Sequence, residues 1–444
     1  MYKIRRNQLL GIILPLIFLG VMVSTASAAE YSLVAAEVPG GLILPGAAPA
    51  PPAWGFCIEI DNDFATIECT PSATAPVLEV GGVGDTSPES LTIHLKNNLP
   101  AELNEPISLQ ILGQILTNNG GPIWTELGSP TPIIGSRPTG NTTARVRSFT
   151  HEADPNGGEA TYIWGSLARP FRVGSYMLTS ATNPAKQVQM RLFAAVKKAA
   201  SATEAYPGIS YDKEIIMVYS EVDPVIHAAI AAGMYGYNAA PPAGWITNSL
   251  HREPKYFLIN GKVFQPGGEL DPVNAADYVN AGDRVLLRFY NAGYETHVPQ
   301  LLNLYLSKVA EDGNPYPYPK ERYGVQLPAG KTVDAIVVMP ATMGRFSIHD
   351  AVLRMTDAGA ETPGGMLAFV STEPCLGDIQ PIPPDSPDGD VDGLDLFILA
   401  QDFGVDCTVT TCEGDIVGAP PAVVDAQDVA ALAAEFGRPN CPVE

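Results

Sequence analysis

The chain predicts a mainly β protein: two Greek-key β-sandwiches in series, followed by a small α-helical module. Three observations predict it. From about Gly55 to Ser371, apolar residues come in short β-branched or aromatic runs bounded by Gly, Pro, Asn and Asp, and 42 glycines and 41 prolines supply the turns. The series of runs occurs twice, at an offset of roughly 170 to 195 residues, the size of a duplicated domain rather than of a solenoid repeat. From Asp378 onward the composition turns Asp-rich and the apolar positions take helical spacing.

In chain order, Lys3, Arg5 and Arg6 precede an apolar run from Leu9 to Val23 and the small-residue site Ala26-Ser27-Ala28. That is the pattern of an export signal cleaved near Ala28. The first cysteine is Cys57, so the cleavage site lacks the Cys of a lipid-anchored protein, and no later stretch reaches the roughly 20 apolar residues of a membrane span. The mature chain is expected to be soluble and secreted or periplasmic. Residues 29–79 read as an extended lead-in, Pro/Ala-rich at "LPGAAPAPPAWG", with Cys57 and Cys69 expected to pair across a short acidic stretch and contribute about 3 kcal/mol.

The first sandwich is expected over residues 80–225 and the second over 250–372. The run "LTIHLKNNLP" matches "VLLRFYNAG", "GGEATYIW" matches "AGKTVDAIVV", "VGSYML" matches "MGRFSIH", and "VQMRLFAAV" matches "GGMLAFV". The boundary is placed between "SEVDP" and "KYFLINGK". Residues 373–384 form a Pro-rich linker, and 385–444 the helical module. The net charge of −22, more negative once a basic signal is removed, argues against nucleic acid or anionic membrane as partners and favours cations.

The segments "NNLP" (Asn97 to Pro100), "GSYMLTSATNPAKQVQM", "YSEVDPVIH", "YFLINGK", "NAGYETHVP", "VAEDGNPYPYP", "LPAGKTVDAIV" and "TPGGMLAFV" follow one another through the two units. In these residues the chain resembles the cupredoxin domains of bacterial multicopper oxidases. The resemblance implies a blue copper centre of one Cys, two His and an axial Met, and a trinuclear cluster of eight His in His-x-His pairs. The chain has six histidines, His94, His151, His227, His251, His297 and His349, and none forms such a pair. Where the first His-x-His-Gly motif is expected stand Gln110, Ile111, Leu112 and Gly113; where the second pair is expected stand Thr179 and Ala181, with Asn183 in the loop. His297 is followed by Val298, Pro299, Gln300 and Leu301, and no Cys occurs between Cys69 and Cys375. The expectation is a protein without oxidase activity and without catalytic residues, acting as an extracytoplasmic binding or scaffold protein. The alternative is a divergent copper-binding oxidoreductase with a mononuclear site of His297, His349 and Met355, against which stands the reading of both histidines as hydrogen-bonded structural residues. His94, within an alternating strand, is expected to be a half-buried structural residue. "NPYPYPKERYG" offers Tyr316, Tyr318 and Tyr323 to a sugar or aromatic ligand, though a rigid Pro-rich loop packed on its own sandwich carries more weight.

In the tail, "DLFILAQDFG" from Asp395 is repeated as "DVAALAAEFG" from Asp428. Leu399, Ala400 and Phe403 correspond to Leu432, Ala433 and Phe436, which puts Leu and Phe on one helical face, and Gly404 and Gly437 stop the helices. Ahead of the first helix, Asp388, Asp390, Asp392 and Asp395 fall at calcium-loop spacing around Gly389. The module resembles a dockerin, which implies calcium and a cohesin-like or other cell-surface protein partner. Pro384 and Ser386 stand in two ligand slots, so one carboxylate is missing unless Asp385 shifts. The second loop keeps Asp415, Asp425 and Asp428 but carries an insertion and two prolines. Disulfides among Cys375, Cys407, Cys412 and Cys441 are expected to hold the module, with connectivity open.

Overall fold

The structure is a computed structural model that describes residues 28–60, 64–81, 89–125, 133–135, 144–238, 240–264, 279–341, 344–355, 364–372, 379, 393–407, 412, 414, 416 and 423–436. The expected export signal, most of the 373–384 linker, Cys375, Cys441 and the aspartates 388, 390, 392 and 415 lie outside the described residues.

The fold is mainly β, with two β-sandwiches and a small helical module. The first sandwich uses β1 (Ala28–Glu37), β2 (Trp54–Glu59), β3 (Val77–Glu79), β4 (Ser90–Asn97) and β5 (Leu109–Ile111). After a small sheet of β6 (Ile123–Thr125), β7 (Ile133–Ile134) and β8 (Arg145–Ser148) it adds β9 (Glu159–Gly165), β10 (Gly174–Ser180) and, past the helical turn α1 (Pro184–Gln187), β11 (Phe193–Lys198). Its sheets run β2-β1-β4-β9 and β3-β11-β10-β5. β4 shows why the pattern forms a sandwich: Leu91, Ile93, Leu95 and Asn97 are buried, while the intervening Thr92, His94 and Lys96 face outward. As expected, His94 is a half-buried structural residue, bonded to Thr161 and Glu30.

A short hairpin, β12 (Glu204–Tyr206) and β13 (Ile209–Ser210), leads to β14 (Lys213–Val222), the helix α2 (Pro224–Ala231), β15 (Tyr256–Ile259), β16 (Arg284–Asn291), β17 (Pro299–Leu301), β18 (Leu306–Glu311), β19 (Asn314–Arg322), β20 (Thr332–Val338), β21 (Gly344–Asp350) and β22 (Leu367–Thr372). The second sandwich stacks the sheet β15-β14-β16-β20-β18-β19 on β17-β21-β22. β1 pairs parallel with β4 and antiparallel with β2, and β14 does the same with β16 and β15. The duplication therefore includes a strand pair that the sequence reading placed elsewhere. β1 and β2 belong to the first sandwich rather than to a lead-in, and β14 opens the second rather than closing the first. Parallel pairing joins strands far apart in the chain, so nothing local marks it.

β16 is buried on both faces. Val285, Leu287 and Phe289 enter the core of their own sandwich, while Leu286 and Tyr290 join clusters with Tyr206 and Met177 of the preceding unit. The same joint holds Arg288, fully buried, which donates to Glu214 (2.6 Å), Ser175 (2.9 Å) and Asp334 (3.2 Å). β19 is a second correction: "NPYPYPKER" is an exposed edge strand rather than a packed loop. Its prolines remove N–H groups that would otherwise recruit another strand.

In the tail, α3 (Gly393–Asp402) and α4 (Ala426–Glu435) meet through Leu399 and Leu432, with Val424, Ile379, Cys407, Cys412 and Ile416 around them. Cys407 bonds to Cys412, and Cys57 to Cys69. Phe403 and Phe436 are exposed instead of sharing the leucines' face, because each helix ends one residue earlier and the chain leaves the helical spiral. No helix among the described residues is long and apolar enough to cross a membrane.

Candidate metal centre

In the first sandwich the positions where copper ligands were sought lie on neighbouring strands. Gln110 of β5 stands opposite Thr179 of β10 and donates from Nε2 to its hydroxyl (3.2 Å). Next to this pair, Ser180 donates to Gln187, and Gln187, Lys186 and Asn183 all donate to the Glu105 carboxylate. Amide, hydroxyl and carboxylate groups satisfy one another here, and Ala181 fills its place without any polar group.

In the second sandwich the chain leaves β16 through Asn291, whose buried amide donates to the carbonyls of Glu295 and Leu327 and accepts the Gly293 N–H. Asn97 does the same at the end of β4, donating to the Glu105 and Asp154 carbonyls and accepting the Leu99 N–H. The Asn291 turn, and reciprocal backbone bonds between His297 and Leu327, fix the segment that carries His297.

His297 is fully buried. Its Nδ1 donates to Asp350 Oδ2 (2.9 Å) and its Nε2 to Glu221 Oε1 (2.6 Å). Both carboxylates are anchored in turn. Asp350 Oδ1 accepts the N–H groups of Val298 and Val352, and Glu221 accepts those of Tyr294 and Glu295. Tyr219 stacks on the ring at 5.7 Å. A Cβ at residue 293 would stand 2.3 Å from both Glu221 oxygens, so glycine is needed for the loop to close on the carboxylate. Burial by itself would strip the imidazole of its proton, but the hydrogen bonds and charges of Asp350 and Glu221 outweigh it and push the pKa up to about 9. Burial tends to raise the Asp350 pKa, yet the bonds from His297, Val298 and Val352 hold it below the usual value. At neutral pH the ring is an imidazolium between two carboxylates, with both nitrogens donating and no lone pair left for a metal.

His349 precedes Asp350 on β21, and alternation along a strand puts the two on opposite faces. His349 Nε2 takes a hydrogen bond from Gln300 Nε2 (2.6 Å), its partner across β17, and burial lowers its pKa. The fold thus holds His297 and His349 apart. Met355 follows the strand, its carbonyl accepting the Gly364 N–H. No three His, Cys, Asp or Glu side chains among the described residues converge to hold a metal ion. The donor set expected from His297, His349 and Met355 does not fit copper. Sequence reasoning missed Glu221; the one available sign was an acid inside the apolar run "IIMVYSEV".

In the tail, Asp395 is fully buried in the first turn of α3 and accepts the Ile379 N–H (2.8 Å). Asp425 caps α4, accepting the Gln427 N–H, while Asp428 accepts the Asp425 N–H, a reciprocal capping box. Asp395 and Asp428, equivalent in the repeat, are both buried.

No protein-family model matches the chain, and no curated protein matches it. Its structural neighbours are multicopper oxidases and copper nitrite reductases. They include a blue copper oxidase from Nitrosomonas europaea, 18% identical over 78% of this chain and 86% of that one, with a TM-score of 0.49. A multicopper oxidase from Pseudomonas thermotolerans is 17% identical over 78% and 67%, TM-score 0.48. A copper-containing nitrite reductase from Thermus scotoductus is 14% identical over 78% and 62%, TM-score 0.48. Likenesses of this size assign no role to any residue of this chain.

Proposed function

We propose that the chain is an exported protein on a multicopper-oxidase-like frame that acts by binding, as an extracytoplasmic binding or scaffold protein, and not by copper redox chemistry. One observation carries the reading: Glu221 and Asp350 occupy both nitrogens of His297 with short, buried, charge-assisted hydrogen bonds. A copper ion would have to displace a carboxylate from a charge-compensated pair, and no cysteine thiolate exists between Cys69 and Cys375 to offset that cost. The tail supplies the docking part of the proposal. Calcium would join Asp388, Asp390, Asp392 and Asp395, with Asp415, Asp425 and Asp428 as the second set, and the partner would be a cohesin-like or other cell-surface protein. Buried Asp395 and Asp428 at equivalent helix starts support a folded, duplicated module.

The test is copper reconstitution of the purified protein. We expect no intense thiolate-to-copper absorption and no oxygen uptake with a phenolic substrate. Oxygen uptake that vanishes in a His297→Ala, His349→Ala double variant would overturn the proposal in favour of a divergent copper oxidoreductase.

A further inference from the structure

A pocket of about 340 Å³ opens where the loop after β1 meets the turn after β15, and none of its lining residues belongs to the His297 clamp. Its volume lies in the range of small-molecule sites, roughly 300–1,000 Å³. Val38, Ile43, Pro45, Pro71 and Val263 make its walls apolar, and Lys262 is the one charged residue of its lining.

The walls are preformed. Val38 and Val263 belong to a buried cluster with Leu42, Tyr256 and Leu258, so the pocket is a gap in packed structure. The two sides approach closely: a Cβ at residue 261 would lie 1.9 Å from the Ala73 carbonyl oxygen, and Gly261 has a φ of +79°. The buried Arg191 guanidinium donates to the same carbonyl, and the Thr74 hydroxyl donates to the Asn260 carbonyl (3.1 Å), tying the two sides. Proline rings have little freedom to collapse inward. Ile43, 94% exposed, stands as a large apolar side chain among the residues of the opening.

The charge is as informative as the shape. The chain carries 48 acidic residues, yet none lines the pocket, and among the described residues no carboxylate pairs with Lys262. We propose that this pocket binds a small amphipathic monoanion, with its carboxylate on Lys262 and its apolar or aromatic body against the proline and valine walls. A single ammonium suits one negative charge. A phosphate would call for a fork of charged donors, whereas the other side-chain donors of this lining are the neutral hydroxyls of Thr70 and Ser72.

Isothermal titration of the whole protein with phenylacetate and with neutral phenylacetamide tests the proposal. We expect one-to-one phenylacetate binding, with the amide about five-fold weaker, the scale of one solvent-exposed ion pair. Lys262→Gln should bring phenylacetate down to the level of the amide. Ile43→Ser, at an exposed position that leaves folding intact, should weaken both. Absence of saturable binding by either compound overturns the site. Equal binding of the two, or phenylacetate binding indifferent to Lys262→Gln, overturns its assignment to an anion.

Discussion

His297 shows how a residue type underdetermines its role. A lone histidine in a sequence that resembles copper proteins reads as a ligand until its neighbours are known, and here they are two acids 53 and 76 residues away in sequence. Replacing it with Ala leaves Glu221 and Asp350 buried without their cation, and we expect a loss of about 3–5 kcal/mol in urea unfolding. The pH dependence follows from the sign of the shift. A histidine whose pKa rises to about 9 on folding stabilises the fold fully below its unfolded value of about 6.5, and the contribution is lost as pH rises through 9. The urea midpoint should therefore fall between about pH 6.5 and 9 in the parent protein and stay flat over that interval in His297→Gln. His227 does not confuse the measurement. Burial pushes its pKa down to about 4, so its destabilising effect appears only as pH falls below about 6.5.

Among elements, the strands with strict alternation or β-branched runs were legible, since burying one face of a pleated sheet writes itself into every second residue. β14 was legible as a strand but not as the opening of the second sandwich, because its partners β15 and β16 follow at a distance and the acidic "SEVDP" after it resembles an ending. α2 carries a clear local instruction. Asp223 Oδ1 accepts the N–H groups of Val225 and Ile226, Pro224 sets the first turn, and Asp223 Oδ2 accepts the Glu253 N–H that returns the chain toward β15. Asp223→Ala should cost about 1–2 kcal/mol in urea unfolding, toward the upper end because both carboxylate oxygens are used. Asp223→Asn, which keeps one accepting oxygen, should recover part of it.

At the scale of the whole molecule, the two sandwiches share buried clusters and the Arg288 network, whereas the tail has its own small core around Leu399, Val424 and Leu432. Truncation after residue 372 should leave the thermal midpoint of the sandwiches unchanged within a degree or two. The module is too small to rely on apolar burial alone, and the proposed calcium would offset the repulsion among its aspartates. In limited proteolysis, calcium at about 10⁻³ M should protect the tail while the sandwich fragment resists equally with calcium or chelator. Equal cleavage of the tail in both conditions, with no calorimetric difference between the parent protein and Asp388→Ala, would remove calcium from the proposal.

The sequence by itself determined the fold class, the duplication and the change to a helical tail, since these rest on periodicity and composition, which are properties of neighbouring residues. It also determined that no cysteine stands between Cys69 and Cys375, because a count needs no geometry. Only the tertiary structure decided that Glu221 and Asp350 close on His297, that His349 faces the other way, that β1 and β14 play the same part, and that Lys262 borders an apolar pocket. Each of these depends on the convergence of segments distant in the chain. Their partners are chosen by sheet register and packing, which leave no spacing for a linear reading to find.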